Sequence, residues 1–248
     1  ASGILMPVFS LPGPFGIGTL GSEAAAFVDF LAEAKQTYWQ ILPIGPPSYG
    51  DSPYSSFSTF AGNPYFIDLD LLIRDGLLRP AEVTRADWGA DASRVDYARI
   101  YDSRFRVLRL AFARGAQPLS AAISAFRREN AGWVENYALY MAVKAHFGMV
   151  SWTEWPEEDI RLHRSAAVKA YGESLRGAVD FYVFIQFLFY RQWEALRAYA
   201  HENGVQFIGD IPIYVALDSA DVCSEPGFFQ LDGDNVPVEV SGVPPDAF

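Results

Sequence analysis

The sequence has little of what several large functional classes require. It holds one cysteine, Cys223, so no disulfide can form within the chain. That fits a reducing compartment, and the expected location is cytoplasmic. Its three histidines, His146, His163 and His201, show no ligand spacing, and no His/Cys metal site or cofactor is expected. Basic residues are outnumbered, 19 Lys and Arg against 30 Asp and Glu, for a net charge of −11. A phosphate backbone calls for the opposite balance, so nucleic acid is not an expected partner. No apolar run is long and charge-free enough to span a bilayer. The start, "ASGILMPVF", has no basic region followed by an apolar one, and no signal peptide is expected.

What the sequence does have is apolar bulk. Half of its 248 residues are hydrophobic and 15% are aromatic, enough for a sizeable core. An acidic, aromatic-rich chain suits a neutral ligand.

One loop-like stretch is crowded with aromatics: "YGDSPYSSFSTFAGNPYF", residues 49–66. Gly50, Pro53, Gly62 and Pro64 forbid a long regular element there, and serine and threonine hydroxyls fill the gaps. Before it, "SLPGPFGIGTLG" is a Pro/Gly loop, and Ser22 is the expected N-cap of a helix that buries Phe27, Phe30, Leu31 and Ala34. "YWQILPIGP" (38–46) reads as a buried strand. A rich loop at the C-terminal end of a strand is where parallel α/β folds build their sites. Amphipathic patterns then predict helices over 102–113, 119–130 and 133–148, and "TEWPEEDIRLHR" (153–164) reads as charged and exposed. A long helix over 178–204 should end at Asn203–Gly204. "VQFIGDIPIYVAL" (205–217) reads as a second buried strand, and a turn is expected at Gly233–Asp234.

Three features have competing readings. Asp210 interrupts an apolar strand pattern; it is either a structural carboxylate or one that faces a ligand. Tyr49, Tyr54 and Tyr101 are either core aromatics or platforms for the apolar faces of sugar rings. Gly16, Gly18 and Gly21 have the G-x-G-x-x-G spacing, but no strand ends before them, so the match is weak evidence for a nucleotide.

Taken together, long blocks of the sequence resemble the amylomaltase (4-α-glucanotransferase) family. They include "SLPGPFGIGTLG", "YWQILPIGPPSYGDSPYSSFSTFAGNPYFIDLDLL", "VDYARIY", "WVENYALYMAVK", "IGDIPIYVALDSADV" and "SGVPPDAF". The resemblance implies an α/β fold, a modified (β/α)8 TIM barrel with a helical insertion, incomplete in this chain. Residues 1–70 would start the barrel and carry the cleft loop, 71–176 would form the insertion, and 177–248 would return to the barrel.

The implied reaction moves a 1,4-α-glucan segment between maltodextrins by a retaining double displacement, with glucose or maltose among the acceptors. It implies Ser52, Tyr54 and Asp210 as substrate contacts, Tyr49 and Tyr101 as a peripheral glucan-binding pair, and Pro245, Asp246 and Phe248 in an acceptor-side loop. The family's catalytic carboxylates follow the "GVPPD" block, so none is assigned between residues 1 and 248, and the chain alone is expected to be inactive. Three departures stand out: "MPVF" where the family often has a histidine-containing "HPT", Cys223 for a usual Trp, and Ala247 for a usual Tyr. Two other readings remain: a non-catalytic glucan-binding fragment or pseudoenzyme, and an α-glucan hydrolase of the same barrel clan.

Overall fold

The computed structural model describes residues 1–48, 50–91, 93–240 and 242. Three short parallel strands lie at its centre: β1 (Gly3–Leu5), β2 (Tyr38–Gln40) and β3 (Gln206–Ile208), in the order β1-β2-β3. Ile4, Trp39 and Phe207 share one row of the register. Trp39 is fully buried in the middle strand, its ring 4.9 Å from Phe27 and 5.0 Å from Phe207. Its indole N–H donates to the Met6 carbonyl at 2.8 Å, so burying the ring leaves no donor unpaired. Among the described residues the strands form an open sheet within a mostly helical body, not a closed barrel.

Three strand readings need correction. The strand expected over 38–46 ends at Gln40. β1 has no alternating pattern of its own and was not expected; its pairing with β2 defines it. The strand expected over 205–217 stops at Ile208. The next backbone link is Ile41 N–H to Ile208 O at 3.0 Å, and Pro43 and Pro212 then withhold the donors that a longer ladder needs. Ile211 and Ile213 are consequently 80% and 91% exposed, and Asp210 lies in the loop after the strand, half-buried.

Helix α1 (Ser22–Glu33) buries Ala24, Val28 and Leu31. That stripe leaves Phe30 and Ala34 outside the core, contrary to expectation. The N-cap is Gly21, not Ser22. A Cβ on Gly21 would lie 2.1 Å from Asp68 Oδ2, so only glycine lets the helix start against that carboxylate.

Then follow α2 (Leu69–Arg74), α3 (Pro80–Thr84), α4 (Tyr97–Gly115), α5 (Ser120–Glu129), α6 (Val134–His146), α7 (Glu158–Arg161) and α8 (Ser165–Ser174). Around α7, Trp155 and Ile160 are buried, so this segment is anchored and not simply a charged surface. Helix α9 (Arg176–Glu202) packs against α1, α4, α5, α6 and α8. Being covered on most sides, it is buried almost continuously from Phe181 to Phe189. It ends at Asn203, followed by Gly204 at φ 76°, as its sequence predicts. After β3 come α10 (Ala220–Ser224) and a turn at Gly233–Asp234 closed by a Leu231–Pro237 bridge.

Candidate functional site

The aromatic loop is held from both ends. At its start the chain folds back on itself, with Ser48 N–H donating to Ser55 O at 2.8 Å and Phe57 N–H to Pro46 O at 3.0 Å. Gly50 and Asp51 make the bend at φ 86° and 57°, a conformation that glycine and aspartate tolerate. At its end, two buried glutamines of α9 grip the backbone. Gln186 accepts from Gly62 N–H at 2.7 Å and donates to Gly62 O at 2.9 Å; Gln192 does the same for Asp68, at 2.7 and 3.1 Å. A Cβ on Gly62 would meet the Phe189 ring at 2.0 Å, so the loop can lie on α9 only as glycine there.

Several hydroxyls in the stretch serve the loop itself. Ser56 Oγ lies 2.9 Å from Pro46 O and 2.8 Å from Ser58 O, and Ser58 Oγ accepts from Phe60 and Ala61 N–H. Ser52 Oγ accepts from Tyr54 N–H at 3.3 Å.

This scaffold brings together three residues singled out from the sequence. Tyr54, with its ring half in solvent, donates its phenol to Asp210 Oδ2 at 2.7 Å, and its backbone N–H donates to Ser52 Oγ. The hydrogen bond to the carboxylate raises the Tyr54 phenol above its ordinary value, as does Asp210's negative charge. A cleft of about 230 Å³ opens beside the pair, lined among others by Gly45, Pro53, Phe60, Trp193, Asp210 and Tyr214. Aromatic walls with one carboxylate at the rim can hold a neutral, hydroxyl-bearing ligand.

The loop that carries Asp210 is tethered at its far end. Asp218 accepts from Tyr140 Oη at 2.6 Å, from Lys144 Nζ at 2.6 Å and from Trp152 N–H at 3.2 Å, and the Trp152 indole donates to Leu217 O at 2.7 Å. Lys144 is buried on α6 and also donates to Val150 O at 2.8 Å. Sequence reasoning missed Asp218, Lys144, Gln186 and Gln192. The glutamines left a signal: two amides six residues apart in a mainly aromatic and apolar stretch of α9.

Tyr101 lies on α4, 38% exposed, with its ring 4.9 Å from Phe105. Tyr49, Pro245, Asp246 and Phe248 lie outside the described residues. The three glycines of the G-x-G-x-x-G spacing face acceptors. A Cβ on Gly16 would lie 2.2 Å from Trp88 O, and one on Gly18 would lie 1.9 Å from Val8 O. With Asp68 against Gly21, oxygens of neighbouring residues pack against all three glycines, where a phosphate would need open N–H donors. Among the described residues no cluster of three His, Cys, Asp or Glu is placed to hold a metal, and no helix is long and apolar enough to cross a membrane.

Residues 6–248 match the family model of glycoside hydrolase family 77, described as 4-alpha-glucanotransferase. The chain belongs to the 4-alpha-glucanotransferase family. It is 46% identical over 248 residues to a 4-alpha-glucanotransferase of Streptococcus pneumoniae, covering all of this chain and 49% of that protein. It is likewise 46% identical over 252 residues to the enzyme of Thermus thermophilus, again covering 49% of it. The amylomaltase from Streptococcus agalactiae, solved in complex with acarbose, superposes with a TM-score of 0.97 at 42% identity, over all of this chain and 50% of that one. The chain thus spans about half the length of the curated relatives it matches.

Proposed function

We propose that this chain forms the substrate-binding half of a 4-α-glucanotransferase, which passes a 1,4-α-glucan segment from one maltodextrin to another. The observation that carries this reading is the Tyr54–Asp210 pair at the rim of the aromatic cleft. A sugar ring on the Tyr54 side would find an apolar surface and a carboxylate that accepts from its hydroxyls. Asp210 already shares one oxygen with Tyr54, so it is oriented before substrate arrives. Ser52, Tyr54 and Asp210 are assigned to the donor side. Tyr49 and Tyr101 are assigned to a peripheral glucan site, and Pro245, Asp246 and Phe248 to an acceptor-side loop.

On this reading the small sheet is the first part of a (β/α)8 barrel, residues 71–176 are an insertion into it, and 177–248 return to it. The catalytic carboxylates, a nucleophile and an acid/base about 5–5.5 Å apart in retaining enzymes, are expected in the half of the relatives' length that this chain does not span. The 248 residues expressed alone should therefore leave maltotriose unchanged.

Product analysis with maltotriose tests the function of the full-length protein. Transfer yields longer and shorter maltodextrins together with a constant number of reducing ends. A steady rise in reducing ends would mean hydrolysis and would overturn the reading.

A further inference from the structure

A second groove adjoins the cleft beside Asp210. Its volume is about 530 Å³, and the two share Ser58, Thr59, Phe60 and Val215 as walls. The groove runs between the end of the aromatic loop, the start of α6 and the segment around α10. Its floor is apolar: the Phe60 and Trp133 rings lie nearly parallel, 19° apart in plane with centroids at 6.3 Å. Phe228, 85% exposed, supplies a further aromatic wall. Its polar groups include Asn136, Asp221 and Glu225. Asp221 Oδ2 accepts from Thr59 N–H at 2.9 Å, which ties α10 to the loop and leaves the other carboxylate oxygen for a ligand.

We propose that this groove is a second binding site for α-glucan, occupied by the part of a long chain that extends beyond the cleft over Phe60. The inference rests on the α-glucan reading of the cleft and extends it to substrate length. Three observations select the occupant. The shared walls make the groove a continuation of the cleft. Flat aromatic surfaces beside acceptor groups suit a chain with apolar ring faces and many hydroxyl donors. Two carboxylates in a protein of net charge −11 disfavour phosphate-bearing polymers and anionic lipid. Short donors would fill the cleft alone; long ones would gain the groove as well, raising affinity through linkage of two weak sites.

The test is calorimetric titration of the full-length protein with maltotriose and with a long linear maltodextrin, in the wild type and in a Phe228→Ala/Asn136→Ala double variant. The double variant should lose about tenfold in affinity for the long chain and keep that for maltotriose. If it folds poorly, Phe228→Ala alone, at a ring mostly in solvent, should show the same selective loss. Unchanged long-chain affinity, or equal losses for both sugars in a folded variant, would overturn the groove while leaving the cleft intact. Failure of the wild type to bind either sugar would instead overturn the α-glucan reading, and the groove with it.

Discussion

Tyr54 Oη donates to Asp210 Oδ2 at 2.7 Å, joining positions 156 residues apart in sequence. The pair forms because two loops meet: one clamped to α9, and the one after β3, tethered to α6 through Asp218. Replacing Asp210 with Asn keeps an acceptor for Tyr54 but removes the charge. On the proposed function, maltotriose turnover by the full-length protein should fall about 10- to 100-fold, the range for losing a charge-assisted hydrogen bond to substrate, with little change in melting temperature. A large drop in melting temperature with activity per folded molecule preserved would show that Asp210 is a structural carboxylate.

The two glutamines should matter for stability. Gln186→Ala would leave the N–H and C=O of Gly62 without partners beside a buried side chain. The expected cost is about 2–4 kcal/mol, measurable by urea unfolding. Gln192→Ala should cost a similar amount at Asp68. Losses well under 1 kcal/mol would mean that water replaces the clamps readily.

Much of this was legible in the sequence, and the exceptions have physical causes. The long helices were readable because their apolar periodicity reports burial directly, and Asn203–Gly204 marked the end of α9 correctly. Ser52, Tyr54 and Asp210 were identified as a group only through family blocks, since no local pattern says that positions 54 and 210 touch. β1 was illegible because three residues carry no period, and its strand character comes from its neighbour. The length of β3 was overread because alternating isoleucines suggest pairing that Pro43 and Pro212 curtail. Asp218 and Lys144 escaped notice because a partly buried ion pair is defined by what closes around it.

Cys223 should be inert in the folded protein. Burial pushes its thiol up to about 12, and the nearby negative charge of Asp218 adds to the shift. At pH 8 the thiolate is then scarce, and the sulfur is out of reach as well. Native protein should resist iodoacetamide and react once unfolded; rapid native labelling would contradict the packing around α10.

The Glu82–Arg114 pair gives a pH signature. Arg114 donates to both carboxylate oxygens, and Arg79 N–H adds a bond at 2.9 Å. The Arg114 hydrogen bond is the main cause that holds Glu82 down at about 2, against an ordinary 4.5. A depressed carboxylate stabilises the fold above its unfolded value, and that contribution is lost as pH falls through the folded one. Glu82→Gln should therefore lower the melting temperature at neutral pH, with the gap to wild type closing between about pH 4.5 and pH 2. A gap that stays constant across this window would show that the pair contributes packing and not charge.

The most direct measurement is a structure of the full-length protein with acarbose bound. The account predicts a sugar ring against Tyr54 and a hydroxyl within hydrogen-bond distance of the Asp210 carboxylate, beside the cleft that Phe60 and Trp193 help line. Acarbose bound with no contact to Ser52, Tyr54 or Asp210, at a concentration that inhibits turnover, would contradict it.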